Sequence, residues 1–356
     1  MRTVGRGRRQ GEARPLRTVG AALGVTAALL VAGMSPPPAT AQEPGTHLLT
    51  VVGLGGDPAY AQEFLEWGLQ IRTAAVDRYA FPEDRVTLLG EDPEVDPAIS
   101  GRSDREGVEA AVNRIAREAG ASDPVLIVLI GHGSFRGDEA RFNLPGPDLT
   151  ASEWSILLDG LGDRPVAVVN TASASGPFTA ALAGDNRTVI TATKTGGERN
   201  ETQFPRYFAE ALSGEAADLD KDGTLSLLEA FTYTRAEVAR HYEQENLLLT
   251  EHAVLEDDGD GEGSEEPSLD GPDGSAAARF RLATATGART ARAQETSGDT
   301  TLVRLMDERA ELEERVARLR ALREQMDPEE YDRELETLLV ELALKNREIT
   351  AREGGG

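Results

Sequence analysis

The chain has no cysteine. That absence excludes disulfides, thiolate nucleophiles and cysteine-based metal sites. It also excludes lipid attachment at a lipobox. Histidine is scarce, with four residues in 356, which argues against an extensive imidazole zinc site. No comfortable membrane span is present either. The apolar stretch Val19 to Met34 is too short for one. Basic charge is outweighed over the chain as a whole, for a formal net charge of −25. Such a surface repels nucleic acid and anionic membrane, so neither is expected as a partner, and it suits cations instead.

What stands at the amino end is a targeting segment. Arg2, Arg6, Arg8, Arg9, Arg14 and Arg17 form a basic region, the apolar stretch follows, and Ala39-Thr40-Ala41 offers a small-x-small cleavage site. Residues 1–41 therefore read as a secretory signal peptide, with the protein exported to a periplasm or the extracellular space and not inserted in the membrane after cleavage. An exported chain without disulfides must be held by its own core or by bound ions.

Strand signals at His47–Val52, Arg85–Leu89, Val125–Ile130, Pro165–Asn170 and Thr188–Thr191 alternate with helical patterns at Pro58–Tyr79, Arg105–Ala119, Ala151–Leu161 and Pro205–Leu212. The alternation predicts a three-layer α/β domain over residues 46–255, with a mostly parallel central sheet. Residues 256–300 are rich in Asp, Glu, Gly, Ser and Ala and read as a flexible linker, with a short strand at Ala278–Leu282. Residues 301–352 regain helical periodicity through Leu305, Leu312, Val316 and Leu319, then Tyr331, Leu335, Leu338, Leu342 and Ile349. Asp327-Pro328-Glu329-Glu330 starts the second run. The pattern predicts a helical hairpin or a coiled coil through which the protein forms a homo-oligomer or docks a partner.

Two strand ends carry the candidate chemistry. Val125–Ile130 runs into Gly131-His132-Gly133-Ser134, and Pro165–Asn170 runs into Thr171-Ala172-Ser173-Ala174-Ser175-Gly176. Carboxyl ends of parallel strands are where ligands and catalytic groups collect. His132 can act as a base near neutral pH, or can simply hydrogen-bond a loop. Ser173 is a nucleophile only if such a base takes its proton, and otherwise helps to form a tight turn. The Gly133 amide is a candidate oxyanion donor.

Ile130-Gly131-His132-Gly133-Ser134, followed by Val169-Asn170-Thr171-Ala172-Ser173-Ala174-Ser175-Gly176, resembles the legumain branch of the caspase-like cysteine peptidases. There one strand ends in His-Gly-Ser and the next in Ala-Cys-Glu-Ser-Gly. The resemblance covers roughly residues 46–250. It implies a caspase-hemoglobinase fold with His132 at the catalytic histidine. It places Ser173 where the family has its Cys, Ala174 where it has a pocket Glu, and Gly55 where an Asn supports the His. An alkoxide forms far less readily than a thiolate. The expectation is a pseudopeptidase that keeps a groove for a peptide or protein ligand. The alternative is an active Ser-His hydrolase using Ser173 and His132.

Asp218 to Glu229 fits the EF-hand loop. Asp218, Asp220 and Asp222 occupy positions one, three and five, and Gly223 takes the turn at six. Thr224 supplies a carbonyl, Ser226 stands at nine, and Glu229 is the chelating twelfth residue. Calcium is the expected cofactor. A second acidic stretch, Asp257–Gly263, has Leu269 at the twelfth place when counted from Asp258. It lacks the chelating acid and is read as linker, with loose calcium binding or pairing with the first loop as the alternatives.

Overall fold

In a computed structural model of the chain, the described residues are 45–283, helical positions between 305 and 319, and the helix at 328–353. The segment 1–41 and Asp327 lie outside them. No helix among the described residues is long and apolar enough to cross a membrane.

Seven strands form the central sheet. They are β1 (His47–Val52), β2 (Val86–Gly90), β3 (Gly101–Arg102), β4 (Val125–Ile130), β8 (Val166–Asn170), β9 (Arg187–Thr191) and β11 (Val254–Glu256). Their order is β11-β9-β8-β4-β1-β2-β3, parallel except for β11, which runs antiparallel on one edge. The middle strands are buried along their whole length, which is why they read as continuous apolar runs.

The two-residue period of a strand divides these side chains between two faces. Leu48, Val52, Leu126, Val128, Ile130, Val169 and Ile190 join one core with helices α1 (Pro58–Thr73), α5 (Phe204–Ser213) and α6 (Leu227–Gln244). Leu49, Val51, Ile127, Leu129, Val168 and Val189 join the other with α2 (Arg105–Glu118), α3 (Ala151–Asp159) and α4 (Pro177–Leu182). Several helices start on side-chain caps. Asp57 accepts from the Ala59 amide at 2.9 Å, and Thr150 and Glu153 form a reciprocal capping box.

Three short strands were not legible in the sequence. β5 (Gly133–Arg136), β6 (Glu139–Phe142) and β7 (Leu149–Thr150) form a small antiparallel sheet directly after His132. Another short pair, β10 (Thr224–Ser226) and β12 (Arg281–Ala283), joins the first acidic loop to the end of the domain.

The linker expectation is corrected over residues 256–283. β11 continues into a turn, a helix α7 (Ser275–Arg279) and β12. The predicted strand at 278–282 is thus helix first and strand only from Arg281. Ala277, Phe280 and Leu282 tie this segment to the first core, and Asp side chains hold its turns. Asp257 accepts from the amides of Gly274 (2.9 Å) and Ala277 (2.7 Å), and the Asp257 amide donates to Asp273 at 2.9 Å.

The carboxyl-terminal helix α8 (Pro328–Glu353) lies antiparallel to the helical residues before it. Leu312, Val316 and Leu319 cluster with Tyr331 and Leu338, and Leu305 meets Ile349. Ion pairs follow the same register, with Lys345 to Glu308 at 2.8 Å and Arg315 to Glu341 at 3.6 Å.

Candidate functional site

β4 and β8 are hydrogen-bonded neighbours, so their carboxyl ends bring the two motifs to one edge. Gly131 packs so closely that a Cβ there would come within 3.3 Å of the Gly53 backbone. His132 then leaves the sheet half-buried. Its ring meets Tyr60 and Phe64 of α1 edge-on, each with centroids 5.0 Å away. Burial holds the imidazole below its ordinary pKa, opposed by the Glu201 charge and a backbone hydrogen bond with Gly55. A neutral imidazole at pH 7 is the form a base requires.

Gly55 thus meets the imidazole through its backbone. No side chain fits there, because a Cβ would lie 2.5 Å from the Ala61 amide nitrogen. The imidazole still has an orienting partner, but a backbone one.

The second strand end is a dense turn. The Thr171 hydroxyl donates to the Leu129 carbonyl at 2.8 Å, and the Ala172 amide donates to the Asn170 side chain at 3.1 Å. The Ser175 hydroxyl meets that of Thr193 at 3.1 Å. Ala174 is held at φ +53°, and its amide donates to the Glu198 carbonyl at 2.7 Å. A left-handed backbone costs a non-glycine residue roughly 1–2 kcal/mol, so the surrounding bonds impose this turn.

Ser173 lies at the centre of the turn and is only 5 % exposed. Its hydroxyl meets the amide and the carbonyl of Gly133, both at 3.4 Å. These are long contacts. Among the described residues no hydrogen bond joins Ser173 to His132. Gly133 is required at this place, since a Cβ would stand 2.1 Å from the Ser173 carbonyl oxygen. The fold thus brings His132, Gly133 and Ser173 together, with the hydroxyl engaged by the Gly133 backbone and not by the imidazole. Ala174 is buried and apolar, and provides no acid.

Two residues at this edge were not picked out by the sequence. The Tyr60 hydroxyl donates to Glu201 at 2.8 Å, and both lie beside His132. They are 141 positions apart, and no local pattern links them. A cavity of about 230 Å³ beside Ser134 is lined by Arg136, Arg141, Asn143 and Asp148. A larger one, about 530 Å³, lies against the Gly53–Gly56 loop with Leu54, Ala61, Leu65 and Ile99 in its wall.

Away from these strand ends, Asp218, Asp220 and Asp222 each place a carboxylate oxygen within 4.8 Å of the others. Gly223 turns the chain at φ +82°. Asp222 accepts from the Thr224 amide at 2.7 Å. Glu229 reaches back across the loop. One oxygen accepts from the amides of Leu219 (3.0 Å) and Asp220 (3.3 Å), and the other from the Ser226 amide (2.9 Å) and hydroxyl (2.7 Å). Arg281 of β12 places its guanidinium 2.5 Å from Asp222. The sequence-predicted donors Asp218, Asp220, Asp222, Thr224, Ser226 and Glu229 are therefore close together, in the loop after α5 and the first turn of α6.

No family model matches the chain, and no curated protein matches it. Among the solved structures that are similar, three each cover 60% of this chain. The Drosophila initiator caspase Dronc shares 10% identity over 79% of its own chain, with a TM-score of 0.40. A protein from Geobacter sulfurreducens shares 13% over 93%, with a TM-score of 0.38. The protein drICE shares 11% over 88%, with a TM-score of 0.35. These superpositions are too loose to transfer a residue or a reaction.

Proposed function

We propose that this is an exported protein of the legumain-like branch of the caspase-type fold, whose strand-end site binds a peptide or protein segment without cleaving it. The observation that carries this reading is the state of Ser173. Its hydroxyl is nearly buried, touches the Gly133 backbone and makes no hydrogen bond with His132. A serine in that setting has no base to activate it. The test is hydrolysis of a broad peptide library with calcium present, comparing the wild type with Ser173→Ala. No turnover by either protein is expected. Turnover that Ser173→Ala abolishes overturns the reading.

A second reading, an active Ser-His hydrolase, is favoured by the neutral, Gly55-bonded His132 and by the strained Ala174 beside the hydroxyl. A serine-directed covalent probe should then label Ser173, and His132→Ala should block labelling. Failure to label with several probe chemistries sinks it.

Calcium belongs to the same proposal. The Asp218, Asp220 and Asp222 carboxylates, the Thr224 carbonyl, Ser226 and Glu229 form an all-oxygen donor set suited to it. Its role is to stabilise the fold, since an ion bound only by the folded chain raises its stability. An unchanged melting temperature on adding calcium to chelated protein would count against it. The hairpin ending in α8 is proposed to join copies of the chain. Leu339, Val340 and Leu344 on α8 are 41–55% exposed, an apolar surface that a second copy can cover. Solution mass with and without residues 301–356 tests this, and a monomeric full-length chain removes it.

A further inference from the structure

The turn that follows β11 gathers three carboxylates, one of them buried. Glu256 closes the strand with its side chain inside the protein, 0 % exposed. One carboxylate oxygen, Oε1, accepts from the amides of Gly259 (2.7 Å) and Gly261 (3.3 Å). The other, Oε2, is buried with no hydrogen-bond partner. Glu256, Asp258 and Asp260 each bring a carboxylate oxygen within 4.8 Å of the other two. Among the described residues, no ion pair reaches any of the three.

Burying a carboxylate is costly unless it is paired, and buried polar oxygens nearly always have a partner. Here an unpartnered buried oxygen belongs to a trio of acids that repel one another. Water can serve the exposed Asp258 and Asp260, but Glu256 is out of its reach. A hard divalent cation answers both needs, because it bonds to the orphan oxygen and neutralises the cluster. We propose that Glu256, Asp258 and Asp260 hold a divalent cation of the calcium type, separate from the loop at Asp218–Glu229. Calcium takes about six to eight oxygens at flexible sites, so loop carbonyls and water complete the shell.

The site's place in the fold says what it does. Glu256 pairs with Val189 at the middle of β9, and the turn after it lies against Gly184, just before β9, on the side of the sheet away from the strand ends that carry His132 and Ser173. Its neighbour Asp257 turns the other way and holds the amides of Gly274 and Ala277. A bound ion would therefore pin the antiparallel edge strand and the segment leading to β12. This role does not depend on whether the strand-end site is catalytic.

Equilibrium dialysis of the full chain against calcium tests the proposal. Two ions per chain are expected in the wild type. Asp258→Asn with Asp260→Asn, both at exposed positions, should remove one, and Glu256→Gln should weaken the same ion at least tenfold. Asp218→Asn with Asp220→Asn should remove the other. If the Asp258/Asp260 pair binds as much calcium as the wild type, the proposal is overturned, whatever the Asp218/Asp220 pair does. If only the Asp218/Asp220 pair leaves binding unchanged, the second site stands and the first falls. Hydrogen exchange gives an independent readout. In the Asp218/Asp220 variant, calcium should still slow exchange at Gly259, Gly261, Gly274 and Ala277, and unchanged exchange there overturns the proposal.

Discussion

The turn at Asp218–Asp222 and the turn at Glu256–Asp260 present three carboxylates at the same spacing, each with a glycine of positive φ next in line. What surrounds them differs. In the first, Asp222 has the Arg281 guanidinium at 2.5 Å and Glu229 takes four N–H and O–H donors. Water and protein partners can satisfy that loop without an ion. In the second, Glu256 is sealed from water with one oxygen unpartnered. The first turn is marked by its sequence pattern, the second by the cost of its burial. The comparison shows that an acidic motif and a buried, unpartnered carboxylate are different properties.

The largest effect should come from calcium itself. A ligand at a hundredfold excess over its Kd adds about 2.7 kcal/mol per site, so two filled turns should add about twice that. Denaturant unfolding with calcium and with chelator measures the gain. Disabling either turn should leave roughly half of it. A full gain after loss of the Glu256 turn would erase the contrast.

Glu251 sharpens the comparison as a buried carboxylate whose oxygens are both served. It accepts from the amides of Gln203 (2.7 Å) and Phe204 (3.2 Å) and from the Tyr242 hydroxyl (3.1 Å). Burial nevertheless pushes its pKa up from 4.5 to about 7. Between those values the folded chain keeps a proton that the unfolded chain has released. Stability from this group is therefore fully present below about pH 4.5 and is lost as pH rises to about 7. The loss should be on the order of 3 kcal/mol, visible as a falling urea midpoint. Glu251→Gln should flatten that slope and leave calcium stoichiometry unchanged. A slope that survives the substitution assigns the titration to another group.

Arg281 separates the turns from the other direction. Its guanidinium competes with a cation for Asp222 and makes no ion pair with the Glu256 turn. Arg281→Ala should tighten calcium at the first turn by roughly two- to fivefold, the range of an exposed ion pair. The second turn should keep its affinity. Equal changes at both would mean that the β10–β12 pairing, and not local charge, couples them.

Much of the sheet was legible because buried parallel strands leave unbroken apolar runs, as Val125–Ile130 does. His132 and Ser173 were legible as strand-end residues for the same reason. Their relation was not, because the hydroxyl's choice of Gly133 over the imidazole is a matter of angle and distance. The Gly55 backbone bond was invisible too, since any residue has a carbonyl. Residues 256–283 misled because Asp257 and Asp273 organise them through amides, and such bonds leave no hydrophobic period. Counting the second turn from Asp258 passed over Glu256, which falls at the first residue of the expected linker.

The smallest expected effect concerns the opposite edge of the sheet. Ser173→Ala removes a hydroxyl whose contacts with Gly133 are both 3.4 Å long. Bonds of that length contribute little, and Ala fits a site where the hydroxyl was nearly buried. Stability should change by less than about 1 kcal/mol. Both calcium affinities should stay as they are, because the turn after Glu256 lies against Gly184, before the amino end of β9, while Ser173 follows the carboxyl end of β8. Isothermal titration with calcium checks the second point and urea unfolding the first. A shift in either calcium affinity would mean that strain in the Ala174 turn is carried through α4, whose Ala180 lies against Gly261 of the second turn. The two edges would then be one coupled device, and the acidic turns could no longer be compared apart from the strand ends.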